Sequence, residues 1–272
     1  PAVAIRVSDN MSIGVGVDFA WSKLTLAQQS DFSISPLLPS GRSDAEVEGT
    51  GSGVGFTVGA MIKVNEQFQI GAKYQHEIEI DYDGDVVFDY TPSGHPLVDG
   101  TAAALLTGQG VNTSITMPGE FVVGAMYRVT PKMILEADYQ YTTWSSYESL
   151  NVNFDNPMLN IVDDGNWDDT WMIRIGLEYW VAHEWALRGG YIHDTTPIPD
   201  ATLKPLLPDS DRNEITLGLG YDTKESCCWG ALTADLALQW VMGEERDSTF
   251  PEFPATYTSD AFIVGFGIGV SF

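Results

Sequence analysis

Arg174 and Arg188 are the residues of this chain best suited to holding an anion. Both sit in stretches where apolar and polar residues alternate, both fall on the polar side, and Glu136 and Glu178 lie near them in that pattern. A guanidinium presents a rigid fork of donors, so the two could take a carboxylate in bidentate fashion. The competing role is an ion-pair network that orients or fills an interior. Hydrolysis is the other chemistry to weigh. Ser145, Ser146 and His193 are the available nucleophiles and base, but no motif ties them together. His193 and Asp194 are adjacent, so a strand points them to opposite faces and they make a poor catalytic pair.

Metal chemistry finds little support. Asp81-Tyr82-Asp83-Gly84-Asp85 resembles a calcium loop only in part: the glycine is misplaced and Pro92 stands where a bidentate Glu belongs, so a solvated acidic loop is expected. His76, His95, His183 and His193 lack metal-ligand spacing, and His76 is expected on the apolar side near a strand end, as an interfacial ring. The two cysteines, Cys227 and Cys228, are adjacent and cannot staple distant segments, so they are read as turn residues. No catalytic residue, metal or cofactor is expected.

The elements that carry these residues are strands. From Trp171 to Val181, apolar residues at odd positions alternate with Met172, Arg174, Gly176, Glu178 and Trp180. After the turn Ala182-His183-Glu184, Trp185, Leu187, Gly189 and Tyr191 continue one face, and Arg188, Gly190 and Asp194 the other. A strand turns successive side chains to opposite faces. The same pattern recurs along the chain, as in Ile13 to Trp21, Phe56 to Val64, Phe68 to Ile80, Phe121 to Val129, Ile215 to Tyr221, Leu232 to Trp240 and Phe262 to Phe272. Sustained alternation is the strongest strand signal a sequence offers. Phe68, Ile70, Ala72, Tyr74, His76, Ile78 and Ile80 are expected on one face throughout. A short apolar helix is expected near Thr101 to Thr107.

Composition narrows the class. Over 272 residues there are 13 Lys+Arg against 38 Asp+Glu, a net charge of −25, which argues against nucleic-acid binding. The 8 Trp, 11 Tyr and 12 Phe argue against disorder. No uninterrupted apolar stretch is long enough for a transmembrane helix. No signal peptide is visible, and the chain opens inside a strand-like pattern, as a processed or truncated chain would.

Two regularities point to an outer-membrane barrel. Connections alternate between about 3 to 7 residues and about 11 to 30, the short-periplasmic, long-extracellular pattern. A soluble sandwich gives no reason for that asymmetry. Charged residues also sit in strand interiors on the side opposite the apolar one, as a lumen face would have them. Trp21, Tyr127, Trp171, Tyr179, Trp180, Trp185 and Trp240 fall near strand ends, as interfacial girdles require. The fold class expected is all-β: an antiparallel transmembrane barrel, residues 1–272 forming one domain. Long extracellular loops are expected near 30–52, 89–112, 155–168, 200–211 and 243–259. About ten full strands are present, and an open edge in hydrocarbon would leave backbone groups unpaired, so further strands are expected upstream.

Several phrases together resemble the outer-membrane long-chain fatty acid transporter family, the FadL type, which includes aromatic-hydrocarbon channels. They are PAVAIRVSDNMSIGVGV, SDAEVEGTGSGVGFTVGAM, MPGEFVVGAMYRVTPKMILEADYQYTTWSSYESL, ALRGGYIHDTTPIPDATLKPLLPDSDRN and the terminal aromatic Phe272. The resemblance implies a fourteen-stranded barrel plugged by an N-terminal hatch, of which this chain supplies strands five to fourteen. It implies ligand collection at an apolar groove between two extracellular loops, here 30–52 and 89–112. Those loops carry Phe32, Ile34, Leu37 and Leu38, and Leu97, Val98, Leu105 and Leu106. Exposed apolar runs suggest a binding patch; packing of the loops on each other or on lipopolysaccharide tails is the plainer role. The expected function is passive uptake of hydrophobic compounds, long-chain fatty acids first, with a nonspecific porin and an outer-membrane lipid hydrolase as rivals. The expected partners are hydrophobic small molecules, outer-membrane lipid and lipopolysaccharide, with no nucleic acid and a monomeric chain.

Overall fold

The structure, a computed structural model, describes residues 1–223, 231–251 and 253–271. Cys227, Cys228 and Phe272 lie outside the described residues. The elements in order are β1 (Ala2–Ser8), β2 (Met11–Phe32), β3 (Gly41–Lys63), β4 (Phe68–Gln75), β5 (Ile78–Thr91) and α1 (Pro96–Leu105). Then come β6 (Gln109–Met117), β7 (Glu120–Thr130), β8 (Met133–Thr142), β9 (Ser149–Phe154), β10 (Ile161–Asp164) and β11 (Thr170–Trp180). The last are β12 (Trp185–Asp194), β13 (Arg212–Asp222), β14 (Ala231–Gly243), β15 (Arg246–Asp247), β16 (Thr256–Tyr257) and β17 (Asp260–Ser271).

One antiparallel wall runs β1-β2-β3-β4-β7-β8-β11-β12-β13-β14-β17, each strand pairing its neighbour in register. Above it, β3-β5-β6-β9-β10 carries the sheet further. β3 is the bridge between the two: its lower half pairs β4 and its upper half pairs β5.

Some expected loops are strand. The β2–β3 pairing is unbroken from Met11↔Ile62 to Phe32↔Gly41, so most of 30–52 belongs to the hairpin and the loop is 33–40. The outward residues of that hairpin change from Phe19 and Trp21 to Lys23 and Thr25 while the register is kept, so the sheet passes from lipid into water without a turn. The acidic stretch Asp81–Asp85 is part of β5, not a loop. Its glycine serves close packing: a Cβ at Gly84 would overlap the Glu48 carbonyl of β3. The helix begins earlier than expected, at Pro96, because proline suits the first helical position and Asp99 in the first turn suits the dipole.

Four strands break at one height. The breaks lie at 76–77 between β4 and β5, at 118–119 between β6 and β7, after Thr142 in β8, and before Thr170 in β11. Tyr74, Phe121, Tyr141 and Trp171 flank them, all on the outward face and all exposed. At the first break the alternation reverses. His76 stays outward, stacked on Phe56 with ring centroids 4.7 Å apart. Ile78 and Ile80, expected on that same outer face, are 8% and 5% exposed and lie on the inner face with Tyr82. The cause is one extra residue: Thr57↔Gln75 and Ser52↔Asp81 differ by one in pairing register, and a one-residue slip moves every following side chain across the sheet. Ile78, Ile80 and Tyr82 then pack with Ala20, Leu24 and Ile115. They lie over Gly51, Gly53 and Gly55 of β3, where a Cβ would crowd them. Glu79, Asp81, Asp83 and Asp85 are thrown outward. Below the break apolar side chains face out; above it they face in. That is the arrangement required of a sheet leaving hydrocarbon for water.

The lower girdle is Tyr127, Tyr179 and Trp185, all outward. Trp180, expected with them, faces the lumen, its Nε1 donating to Glu178 Oε1 at 2.8 Å. From Trp171 to Tyr179 is roughly 27 Å along the strand, or roughly 20 Å at a tilt of about 40°. That suits a hydrocarbon span.

Candidate functional site: the lumen wall and the extracellular loops

The lumen face carries a largely apolar patch and a more ionic region beside it. Along β1 to β7 many inward positions are small or apolar, Ala4, Gly14, Gly16, Gly59, Gly71 and Gly124, with Met61, Val122 and Met126, interspersed with Ser12, Asp18, Thr57, Gln69 and Lys73. They line a trough of about 830 Å³. Inward glycines leave room along a strand face at some cost in intrinsic strand stability. Asp18 at the trough's edge accepts from Thr57 Oγ1 at 2.6 Å.

Beside that patch, from the upper ends of β4 and β7 across to β14, the inward positions are ionic and hydrogen-bonded. Glu120 receives Lys73 Nζ at 2.6 Å and Gln140 Nε2 at 2.8 Å, and Gln140 in turn accepts Arg174 Nη2 at 2.5 Å. Arg188 donates to Glu178 at 2.8 Å and to Asp235 at 2.6 Å, linking β11, β12 and β14. At the extracellular end Arg212 is shared by three carboxylates: Asp194, Asp209 at 3.1 Å and Glu214 at 3.4 Å. Asp194 and Glu214 are buried there, and Gln239 also donates to Glu214.

Arg174 and Arg188 line one cavity of about 640 Å³, so the structure brings the two together as the strand order required. Their situations differ. Arg188 is occupied by two carboxylates. Arg174 has Asp138 only at 4.0 Å, and its buried Nε has no hydrogen-bond partner. Glu136, the other acid expected near them, lines the same cavity. Asp138, Asp235 and the glycine–methionine trough were not singled out as a site from sequence. Alternating inward glycines were legible, but which ones share a cavity depends on strand order.

The loop residues are also placed. Phe32 ends β2 and meets Tyr90 of β5 edge to face at 5.9 Å, which joins the bases of the two loops. Ile34, Leu37 and Leu97 are exposed, Leu37 at 91%. Leu38, Leu105 and Leu106 are half-buried and Val98 is fully buried, so Val98 belongs to the packing of α1 and not to an open surface. The α1 loop is clamped by Asp99. It accepts from Tyr90 Oη at 2.9 Å, Ser93 N at 2.8 Å, Ser93 Oγ at 2.9 Å and Gly94 N at 3.1 Å. Burial works to raise the Asp99 carboxyl; the hydrogen bonds outweigh it and hold the group below its ordinary range. Burial and the Asp99 carboxylate push the Tyr90 hydroxyl up.

The hydrolase candidates are not assembled. His193 touches Asn213 Oδ1 at 2.9 Å and the Trp171 ring, while the Ser145 amide donates to Asp169.

An antiparallel wall with an apolar outer band, two aromatic girdles, a lumen face and one-sided long loops defines an outer-membrane β-barrel protein. The chain belongs to the outer membrane protein transport protein family (OMPP1/FadL/TodX), whose model matches residues 1–272. It is 23% identical over 282 residues to the long-chain fatty acid transport protein of Escherichia coli O6:H1, covering 95% of this chain and 61% of that protein. It is 22% identical to outer membrane protein P1 of Haemophilus influenzae, covering 99% of this chain and 63% of that protein. The chain thus spans less than two thirds of these relatives. Its fold matches a Pseudomonas aeruginosa FadL homologue with a TM-score of 0.85 at 22% identity, covering 98% and 65% of the two chains. It also matches the Pseudomonas putida toluene transporter TodX with a TM-score of 0.66 at 16% identity, covering 97% and 66%. The family is one of transport proteins, which agrees with the non-enzymatic reading of the sequence.

Proposed function

We propose that this chain forms most of the wall of a passive uptake route for hydrophobic compounds across the outer membrane. The observation that carries this is the 830 Å³ trough on the lumen side of the wall, rich in glycine, alanine and methionine and edged by Asp18, Lys73, Glu136 and Asp138. Its glycine, alanine and methionine surface offers apolar contact, and burial there is favourable by about 25 cal/mol per Å². Ligand would be collected at the loops carrying Phe32, Ile34, Leu37, Leu38, Leu97, Leu105 and Leu106, then pass into a plugged barrel. Long-chain fatty acids are the first substrate class, supported by the relationship to the E. coli fatty acid transport protein. Within this reading Arg174, whose nearest carboxylate is 4.0 Å away, is the better carboxylate receptor, and Arg188, held by two carboxylates, is structural.

One observation favours a second reading, uptake of an uncharged hydrocarbon. The lumen carries Asp18, Glu136, Asp138, Glu178, Glu214 and Asp235, and this acidic excess repels a carboxylate anion. The two readings are separated by equilibrium binding of radiolabelled oleate and of toluene to the full-length protein in detergent. The fatty-acid reading expects oleate binding weakened at least fivefold by Arg174→Ala. It also expects binding weakened by Leu105→Asp with Leu106→Asp. Toluene binding with no oleate binding selects the hydrocarbon. Binding of neither refutes the uptake proposal.

A further inference from the structure

One row of inward side chains crosses the wall between the two girdles. Register places Gly71 of β4 opposite Gly124 of β7, Gly124 opposite Asp138 of β8, and Asp138 opposite Arg174 of β11. Asp138 thus has an open position on one side and a guanidinium on the other. Its carboxylate leans to the open side. A Cβ at Gly124 would overlap Asp138 Oδ1, so that oxygen lies over β7, while Oδ2 stays 4.0 Å from Arg174 Nε. Arg174 makes a single hydrogen bond among the described residues, Nη2 to Gln140 Oε1 at 2.5 Å, and its side chain keeps 37% exposure. At Arg188 a glycine has the opposite effect. A Cβ at Gly220 would lie 2.7 Å from Arg188 Nη1 and 3.0 Å from Asp235 Oδ1, so its absence leaves room for those two groups to meet, at 2.6 Å. Asp138 also stands on a boundary: it lines both the apolar trough and the cavity that holds Arg174. An amphiphile with its chain in the trough and its head on Arg174 must pass this carboxylate.

We propose that Gly124 and Asp138 together set the charge selectivity of the lumen. With no Cβ at Gly124, Asp138 leans away and Arg174 is left to a ligand carboxylate. A side chain at that position would turn the Asp138 carboxylate back onto Arg174 and close the receptor. The inference rests on Arg174 as the carboxylate receptor of the proposed uptake route. The switch is a local one. The atom a Cβ would displace is the end of a short side chain, and the nearest backbone atom, the Ala137 carbonyl oxygen, would lie 3.7 Å away, an ordinary contact. The two strands can therefore keep their register while the carboxylate rotates. The only other neighbour across the strands on that row is Arg174, already 4.0 Å away, so the rotation leads to an ion pair. A guanidinium so occupied has fewer donors left for a second carboxylate. Gly124 is thus a positioning residue that acts through Asp138, and Asp138 is the group that discriminates a charged ligand from a neutral one.

The test measures equilibrium binding of radiolabelled oleate to the full-length protein in detergent. Gly124→Ala is expected to weaken binding about fivefold or more, as loss of a charged hydrogen bond does. Asp138→Asn removes the competing charge and is expected to strengthen binding by about twofold to fivefold, the range of a half-exposed ion pair. Gly124→Ala combined with Asp138→Asn is expected to bind oleate at least as tightly as the native protein, because the displaced side chain no longer carries a charge to place on Arg174. A methyl group that merely obstructs the trough would weaken binding whether residue 138 is charged or not, and that result overturns the proposal. Asp138→Glu is one methylene longer and reaches Arg174 with Gly124 in place. It is expected to weaken oleate binding about threefold or more, and it decides the matter if Gly124→Ala fails to fold. If Arg174→Ala weakens binding while neither Gly124→Ala nor Asp138→Glu does, the inference is overturned and the receptor stands. If Arg174→Ala leaves binding unchanged, the receptor assignment fails and takes the inference with it.

Discussion

Deleting Glu77 removes the residue that reverses the face of β5. The strand above it would then continue the alternation of β4, carrying Ile78, Ile80 and Tyr82 onto the outer surface. These side chains are 8%, 5% and 7% exposed in the native wall. Re-exposing three such side chains costs roughly 5–9 kcal/mol, at about 1.5–3 kcal/mol each. In exchange Glu79, Asp81 and Asp83 would face Ala20 and Leu24 with no partner, which adds to the cost. The strand cannot simply slide back, because Gly51, Gly53 and Gly55 are fitted to Ile78, Ile80 and Tyr82. Urea unfolding of the full-length protein in detergent, followed by tryptophan fluorescence, measures the loss. Ile80→Ala is the milder companion and is expected to cost about 2–5 kcal/mol, as for other buried large-to-small changes. If the deletion and Ile80→Ala each cost under about 1 kcal/mol, Ile80 is not a buried inward residue. The reversal at His76–Glu77 would then be refuted.

Three further outcomes are expected. Ile175→Arg, on the outward face midway between girdles and 52% exposed, should destabilise the barrel in vesicles by about 2–4 kcal/mol; Gly176→Arg, facing an open lumen, should cost much less, and equal costs would undo the face assignment. The Asp99 clamp should hold α1 across the neutral range. Asp99 titrates below its unfolded value, so its contribution is complete above about pH 4 and lost as pH falls through the lowered value. Tyr90 titrates above its unfolded value, so its contribution is complete below about pH 10 and lost as pH rises through the raised value. A spin label at Leu97→Cys should therefore gain mobility only at the two extremes, and a transition between pH 5 and 8 would contradict the clamp. Arg188→Ala should raise the susceptibility of the wall to urea, because Glu178 and Asp235 lose their shared cation, while leaving hydrophobic-ligand affinity unchanged; a fall in affinity would reassign Arg188 to binding.

Much of this architecture was readable in advance because a strand has a period of two. Ile175 and Leu177 against Arg174 and Glu178 already separate a lipid side from a lumen side, and the short-turn, long-loop asymmetry already orients the wall in its membrane. What alternation could not show is a single extra residue. His76, Ile78 and Ile80 look like one continuous face, yet the pairing of Ser52 with Asp81 in place of Ile80 sends the last two inward, and only the partner strand records that slip. The hairpin reaching from Trp21 to Phe32 was hidden for a related reason: its outward positions become polar above the bilayer, so it loses the alternation while keeping every backbone bond. Arg174 and Arg188 were visible as lumen cations, but their difference was not. Which carboxylates reach each guanidinium depends on strand neighbours far apart in sequence, such as Asp235 beside Arg188. The chain's own order of residues thus set which side each side chain prefers and where the membrane lies. The folded sheet alone decided register, and register decides which charges meet, where the apolar face turns inward, and which surfaces are left for a ligand.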